Sequence, residues 1–257
     1  AAQLSTQPEV EYAEPNYLYH VTRTPTDPGF STRQWNFTAL DLPSAWDIND
    51  GAKNGNIIAA VVDTGVTTVN QSFTFRTWNG TAIQNVVVPF AVNPDLAASR
   101  LVSPQDFAFG GGAVVMDMVE HGTHVSSTIA EDTNNGTAEA GIAYNAKIMP
   151  VKVCVGFWEV QFTLSANGTR GFAPLDSGGC PNATIAQGIR YAADNGAKVI
   201  NLSLGGAGAA TTLQDALTYA VGKGAFVAIA MGNEFEEGNP VEYPAAYAAT
   251  IDGVMSV

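Results

Sequence analysis

The stretch NIIAAVVDTG, residues 56–65, decides the fold class because a short apolar run stops abruptly at an acid. Such a run is typical of a strand that is buried on both faces of a sheet. Asp63 then follows the strand as a largely buried carboxylate, which needs a partner to stay charged. The ring N–H of a histidine would serve. The alternative is that Asp63 only caps the turn through Thr64 and Gly65.

A second signal is EHGTHVSSTIA, residues 120–130, where His121 opens an apolar helical pattern. A histidine at a helix start can lean over the strand ends and keep one ring nitrogen free as a base. An acid followed by this base is two thirds of a nucleophilic triad, with a Ser or Cys expected downstream. His121 and His124 also lie three apart on one helical face, so a metal site, and with it a metallohydrolase, is the alternative.

Strands and helices are predicted to alternate through the chain. The predicted strands are 56–62, 146–153, 198–204 and 225–231, and the predicted helices are 120–131, 183–195 and 212–223. Gly196 and Gly224 are placed to stop the last two helices. Because the strands are near-continuous apolar runs, this alternation predicts an α/β fold with a doubly wound, mostly parallel sheet and helices on both faces.

Three polar features follow predicted strands, where the ligand site of such a sheet lies. They are Asp63, the run from Ser203 to Gly205, and Asn233. The Asn233 side chain can donate an amide N–H to a developing oxyanion, or it can be an ordinary turn residue. The run from Ser203 can pair with an extended peptide as an added strand, or it can be a plain strand-to-loop transition.

Composition narrows the classes of function. The chain has 257 residues, 46% of them hydrophobic, which is enough for one large domain with its own core. A formal net charge of −13 repels phosphate backbones, so nucleic acid is not an expected partner. A membrane is not expected either, because no apolar run approaches the roughly 18 residues that span one. Cys154 and Cys180 bracket a loop-like insert, and we expect either a disulfide that closes it or two free buried thiols.

The N-terminal residues differ from the rest. EVEYAEPNYLYHV, residues 9–21, alternates apolar and polar residues and predicts one exposed strand. TRTPTDPGF, residues 22–30, then interrupts the pattern with two prolines and a glycine, which predicts a linker.

Five motifs in register resemble those of the subtilisin-type serine peptidases, the subtilase family. They are VVDTG (61–65), HGTHVSSTIA (121–130), AGIAYNAKIMPVKV (140–153), KVINLSLGG (198–206) and AIAMGNE (228–234). The resemblance implies a subtilisin-like fold and a secreted, monomeric serine endopeptidase that cleaves proteins or peptides through an Asp–His–Ser triad. It implies no cofactor for the chemistry.

The resemblance also implies a role for each matching residue. Asp63 would orient and support His121, the general base and acid, and Asn233 would donate to the oxyanion. The substrate would lie between two walls, the first formed by Ser203, Leu204 and Gly205, the second by Ala230, Met231 and Gly232. Met231 stands where the family often has a smaller residue, so the specificity pocket is expected to be narrowed.

The first residues resemble the last strand of the subtilase propeptide. We therefore expect residues 1–24 to be a propeptide tail and linker, and residues 25–257 to be a partial catalytic domain. The chain's own propeptide is then an expected partner, because in this family the tail occupies the substrate cleft until it is cut.

The nucleophile motif of the family, GTSxAxP, does not occur in the 257 residues. The chain is therefore expected to be an N-terminal fragment with a C-terminally truncated fold, inactive by itself because triad members act as a unit. The alternative is an inactive subtilase-like remnant that binds peptides without chemistry.

A calcium loop of the family is recognisable in TNNGTAE, residues 133–139, which makes Asn135, Thr137 and Glu139 weak calcium candidates. Ser72 stands where many relatives have a calcium-binding Asp. A calcium ion would lose a charged ligand there, so structural calcium is possible but weakly supported.

Overall fold

The fold is built on a parallel sheet with its first strand in the middle. The computed structural model describes residues 7–15, 24–51, 57–78, 81–109, 112–156 and 179–257. Over these ranges the strands are β1 Ile58–Asp63, β2 Gln71–Trp78, β3 Ile83–Phe90, β4 Gln105–Asp106, β5 Lys147–Lys152, β6 Val199–Leu202, β7 Phe226–Ile229 and β8 Val254–Ser256. Six of them form one sheet in the order β4-β5-β1-β6-β7-β8, and every neighbouring pair is parallel.

The order of the strands places Asp63 at a special point. The chain continues from β1 to β5 on one side and later to β6 on the other, so that Val61 lies opposite Pro150 of β5 and Asn201 of β6. In open α/β sheets, ligands bind beyond the carboxyl ends of the strands where the strand order reverses. Asp63 ends β1 at that reversal.

Helices cover both faces of the sheet. In the described ranges they are α1 Phe30–Arg33, α2 Trp35–Ala39, α3 Leu42–Trp46, α4 His121–Ala130, α5 Asn182–Asp194 and α6 Thr211–Gly222, with 3-10 turns at Ala98–Arg100 and Ala245–Ala249. Among these helices none is long and apolar enough to cross a membrane. Successive residues of β1 belong to opposite cores, since Val62 packs in the cluster that contains Ile189 of α5, and Val61 in the cluster that contains Ala130 of α4.

The predicted α/β fold is therefore confirmed, with helices on both faces of a parallel sheet. The predicted strands appear as β1, β5, β6 and β7, and the predicted helices as α4, α5 and α6. Gly196 and Gly224 follow α5 and α6 with φ angles of +84° and +86°, the left-handed conformation in which a glycine ends a helix.

An antiparallel hairpin between β1 and α4 was not predicted from the sequence. Strands β2 and β3 pair along their whole length, from Gln71 opposite Phe90 to Trp78 opposite Ile83. They form a separate two-stranded sheet. The missed signal is Asn-Gly at 79–80, a dipeptide that is typical of turns between strands.

The prediction of an N-terminal strand and the prediction for the two cysteines have different outcomes. Residues 7–15 contain a turn, in which the Val10 N–H donates to the Gln7 carbonyl at 3.1 Å, and no strand is present in that range. The predicted strand at 9–21 is thus wrong over 9–15, and its remainder, residues 16–21, lies outside the described residues. Cys154 and Cys180 form a disulfide, while residues 157–178 of the insert that it closes lie outside the described ranges.

Candidate active site

The acid and the base predicted from the sequence meet at the carboxyl end of β1. Nδ1 of His121 lies 2.7 Å from Oδ1 of Asp63. The Asp63 side chain is 2% exposed, whereas that of His121 is 48% exposed. Because an ionised carboxylate can only accept, the contact assigns a proton to Nδ1 and leaves Nε2 as the acceptor. The pair has the arrangement of a general base that is oriented by an acid.

The Asp63 carboxylate is held on one side only. Its Oδ1 also accepts the backbone N–H of Thr64 at 2.6 Å. Its Oδ2 is buried and has no hydrogen-bond partner within the described ranges. The buried Asp63 carboxylate would therefore stabilise a positive charge on the His121 ring, as an orienting acid does for the imidazolium of a general base.

A buried lysine lies beside the same turn. Lys152 is in register with Asp63 on the neighbouring strand, is 1% exposed, and donates from Nζ to the Thr64 carbonyl at 2.6 Å. Burial raises the pKa of Asp106, opposed by the backbone N–H of Phe109 and by the charge of Lys152. The hydrogen bond from the buried Lys152 ammonium group thus holds the turn after β1 in place.

The turn after β1 also contacts the start of α4 directly. The Thr64 hydroxyl accepts the N–H of Gly122 at 2.9 Å and donates to Oδ1 of Asp117 at 3.0 Å. A Cβ on Gly122 would collide with the Gly65 carbonyl, so only glycine lets the helix approach this closely. This contact sets the position of His121, the residue before Gly122.

Asp117 organises the first turn of α4 and was not predicted. Its Oδ1 accepts the N–H groups of Val119 and Glu120, both at 3.0 Å. Its Oδ2 accepts the N–H of Thr123 at 2.9 Å and the hydroxyl of Thr123 at 2.6 Å. Glu120 has a φ of +71°, unusual for a residue with a side chain, and precedes His121. The missed signal was an acid just before a helix start, where free N–H groups need acceptors.

The two predicted walls of the substrate edge lie side by side. The Ala230 N–H donates to the Leu202 carbonyl at 3.0 Å, so the segments after β6 and β7 leave the sheet together. Ser203 is half-buried, and its Oγ accepts from Nδ2 of Asn201 at 2.9 Å. Gly205 and Met231 are exposed. The remaining predicted members of the two walls are Leu204, Ala230 and Gly232.

Asn233 lies at the same edge but does not contact the pair. It is exposed, four residues beyond β7, and its backbone N–H donates to Oε2 of Glu234 at 2.7 Å. Because β6 separates β7 from β1, the end of β7 lies about 10 Å to one side of Asp63. The structure thus brings Asp63 and His121 into contact and Asn233 to the same edge of the sheet.

The metal alternative gains no support. His124 is exposed, one turn further along α4 than His121. In the part of the chain that the structure describes, no group of three or more His, Cys, Asp or Glu side chains is placed to hold a metal ion. Among the described residues, the two histidines therefore have no third side chain that could complete a catalytic zinc site.

The calcium loop meets carboxylates that the sequence analysis did not name. Asp27 accepts the N–H groups of Asn134 and Asn135 at 2.7 and 3.1 Å, and Asp95 accepts from Nδ2 of Asn135 at 2.5 Å. Ser72 lies instead in the hairpin, exposed and opposite Pro89. The correspondence of Ser72 with the family's aspartate stays a prediction, and the carboxylates that contact the loop are those of Asp27 and Asp95.

The other two predicted ligands have different surroundings. The N–H of Thr137, which is exposed, donates to Oδ1 of Asn135 at 2.8 Å. The carboxylate of Glu139 lies 2.6 Å from Nε of Arg33. Glu139 is thus already paired with a cation, and its carboxylate is a weaker candidate than those of Asp27 and Asp95.

Negative charge accumulates around this loop. Asp95 is 2% exposed and its Oδ2 has no hydrogen-bond partner among the described residues. Burial raises the pKa of Asp95, and the hydrogen bond from Asn135 lowers it by less. The negative charges of Asp132, Asp27 and Glu139 raise the pKa further. An orphaned, buried carboxylate oxygen fits a hard cation such as Ca²⁺, which binds carboxylate, amide and main-chain carbonyl oxygens.

Comparison with known proteins agrees with this geometry. The family model described as the subtilase family matches residues 54–257. A thermophilic serine proteinase of Bacillus sp. strain AK1 is 35% identical over 230 residues, which cover 90% of this chain and 46% of that protein. Thermitase of Thermoactinomyces vulgaris is 36% identical over 230 residues, which cover 89% of this chain and 64% of thermitase.

An extracellular protease of Xanthomonas campestris is 31% identical over 252 residues, covering 90% of this chain and 39% of that protein. The chain thus spans about half the length of these curated relatives. Among solved structures, fervidolysin of Fervidobacterium pennivorans, a keratinolytic enzyme related to subtilisin, superposes with a TM-score of 0.58 at 28% identity. That match covers 85% of this chain and 27% of fervidolysin.

Proposed function

This chain belongs to the subtilase family, and on that premise we propose that it carries the acid and base of a serine-type endopeptidase. The observation that supports the proposal most strongly is the contact of 2.7 Å between His121 Nδ1 and Asp63 Oδ1 at the strand reversal. A pure peptide binder has no chemical need for an oriented base. The acid is buried and the base half exposed, as proton transfer to a substrate requires.

In the proposed mechanism, Nε2 of His121 removes the proton of a serine hydroxyl as that serine attacks the peptide carbonyl. Asp63 holds the ring in the correct tautomer and stabilises the imidazolium. Asn233 donates to the oxyanion of the tetrahedral intermediate. His121 then protonates the leaving amine. In the second stage His121 removes a proton from water as the water attacks the acyl-enzyme, and it returns that proton to the departing serine.

We assign the nucleophile to a serine of the full-length protein outside the 257 residues. The family's GTSxAxP motif is not found in them, and the chain covers 46% and 64% of two relatives that are serine proteases. Residues 203–205 would bind the substrate backbone as an added strand, because they continue beyond the last sheet hydrogen bonds of β6.

We further propose an extracellular enzyme with a short propeptide tail at residues 1–24. The Cys154–Cys180 disulfide is the kind of bond that persists outside the cytosol. From Thr26 onward the chain is bonded to the catalytic body, since the Thr26 N–H donates to Oδ1 of Asn134 at 3.1 Å. That anchor supports a domain boundary near residue 24.

We also propose that Asp27, Asp95 and Asn135 help to hold a structural calcium ion. The ion would offset the mutual repulsion of the buried carboxylates and tie the N-terminal segment to the loop after α4. It would supply no chemistry to the peptide-bond cleavage.

The test is hydrolysis of a denatured protein substrate by the full-length protein. We expect turnover that a serine-directed fluorophosphonate abolishes, and no turnover in the His121→Ala variant. A matched control, His124→Ala, should retain activity because His124 is exposed and has no role in the proposed chemistry. A full-length protein that binds peptides but never cleaves them would instead identify a peptide-binding remnant.

A further inference from the structure

A carboxylate stands between the two walls of the substrate edge. After β7 the chain returns and pairs with the first wall, since Gly206 and Tyr243 exchange two backbone hydrogen bonds of 3.0 and 2.8 Å. This pairing sets the preceding residue, Glu242, against both walls. A Cβ on Gly205 would lie 3.0 Å from its Oε2, and one on Gly232 would lie 3.0 Å from its Cγ.

The charge of Glu242 is not compensated. Its side chain is half-buried, and in the described ranges no cation or hydrogen-bond donor pairs with it. The carboxylate of Glu234 also lies against Gly232 and adds negative charge to the same place. A partly desolvated carboxylate without a partner is unfavourable until a cation approaches it.

The second wall adds an apolar surface. Met231 is 47% exposed, next to Gly232, so its thioether is open to an incoming side chain. Lysine and arginine side chains lay their methylene stems on apolar surface while the charged head reaches a partner. A long cationic side chain therefore matches the edge, with its stem on Met231 and its head at Glu242. An apolar side chain in the same place would desolvate the Glu242 carboxylate without offering it a hydrogen bond or a positive charge.

We propose that Glu242 selects substrates with lysine or arginine before the scissile bond. The inference rests on the proposed function, because it takes the edge between residues 203–205 and 230–232 as the substrate-binding edge. Glu242 is thereby a specificity-determining residue, with a role in binding and none in proton transfer.

The test uses the full-length protein and peptides that differ only before the scissile bond, with arginine, lysine, norleucine or glutamate. We expect kcat/KM to be highest for arginine and lysine. Glu242→Gln should lower kcat/KM for both by about ten- to hundredfold, the range for a hydrogen bond to a charged group, and should raise it for norleucine. The matched control is Glu237→Gln, which removes the same charge from an exposed position of the same loop and should leave the arginine-to-norleucine ratio unchanged.

The outcomes separate the two proposals. Equal cleavage of the arginine and norleucine peptides, or an equal effect of Glu237→Gln and Glu242→Gln, overturns the role of Glu242 and leaves the endopeptidase standing. If no peptide is cleaved, the endopeptidase falls. In that case the Kd values of the arginine and norleucine peptides decide the inference, since values that are equal and insensitive to Glu242→Gln overturn it too.

Discussion

The two halves of the candidate site are held in different ways. On the β1–α4 side, buried side chains fix one another: Asp63, Thr64 and Asp117 are each 9% exposed or less, and a hydrogen bond joins the last two. On the β6–β7 side, Met231 and Asn233 are exposed, and the segments are held mainly through backbone hydrogen bonds. The half proposed to perform the chemistry is held by buried side chains, while the half proposed to recognise substrate exposes its side chains.

This difference has a physical reason. A general base must stay within a fraction of an ångström of its productive position, which needs buried partners around it. Side chains that contact the substrate must be exposed to solvent. The backbone hydrogen bonds that hold their segments form whichever side chains those segments carry. Substitutions should therefore cost both activity and stability on the first side, and activity alone on the second.

The largest expected effect comes from Asp63→Asn in the full-length protein. We expect kcat to fall by about 10⁴-fold, the loss known for the triad aspartate of serine proteases, because the amide favours the wrong tautomer of His121. Steady-state hydrolysis of one peptide measures it. Asp106→Asn is the control, since Asp106 is also a buried acid at a strand end but does not touch His121. A loss of less than tenfold for Asp63→Asn would show that His121 is not oriented by this contact.

Asn233→Ala should lower kcat by about 10²–10³-fold, as removal of one oxyanion donor does in a subtilisin. Thermal unfolding should not change, because the side chain is exposed. Glu236→Ala, an exposed neighbour in the same loop, should change neither quantity. A clear drop in the unfolding temperature of Asn233→Ala would mean that the open half is more tightly built than its exposure suggests.

Asp117→Asn should lower kcat by about tenfold and leave KM within about twofold, since it moves His121 without touching the substrate edge. It should also destabilise the fold by about 1–3 kcal/mol, because the new amide faces two donors of Thr123. Thr123→Val removes one of those donors and leaves Asp117 in place, so its effect on kcat should be smaller. A change in KM alone would argue that Asp117 acts on substrate binding and not through His121.

The sequence predicted the β1–α4 half well and the rest less evenly. Asp63 and His121 could be paired from the sequence because each stands at the end of a strongly patterned element. Asp117 was missed because the acid before the helix start was not read as a cap, and because its contact with the Thr64 hydroxyl joins residues that no local pattern relates. Glu242 was missed because its position depends on the return of the chain to Gly206, a contact between residues that no local pattern relates.

The two aspartates that contact the calcium loop were missed for a different reason. The spacing from Asp63 to Ser72 suggested that a ligand had been lost. The hairpin β2–β3 occupies residues 71–90, so the carboxylate that meets the loop comes later, at Asp95. An insertion changes spacing along the chain without changing which residues meet in space.

Asp95 and Ser72 therefore provide the last test, which concerns stability and not catalysis. With excess calcium the wild-type protein should gain about 2.7 kcal/mol at a concentration 100 times the Kd, and Asp95→Asn should gain much less. In a chelator the order should reverse or vanish, because the variant removes a buried negative charge that lies near Asp27, Asp132 and Glu139. Ser72→Ala, at the position suggested by spacing alone, should behave as the wild type in both conditions. Calcium stabilisation that survives in Asp95→Asn but not in Ser72→Ala would restore the assignment made from spacing and refute the one made from the fold.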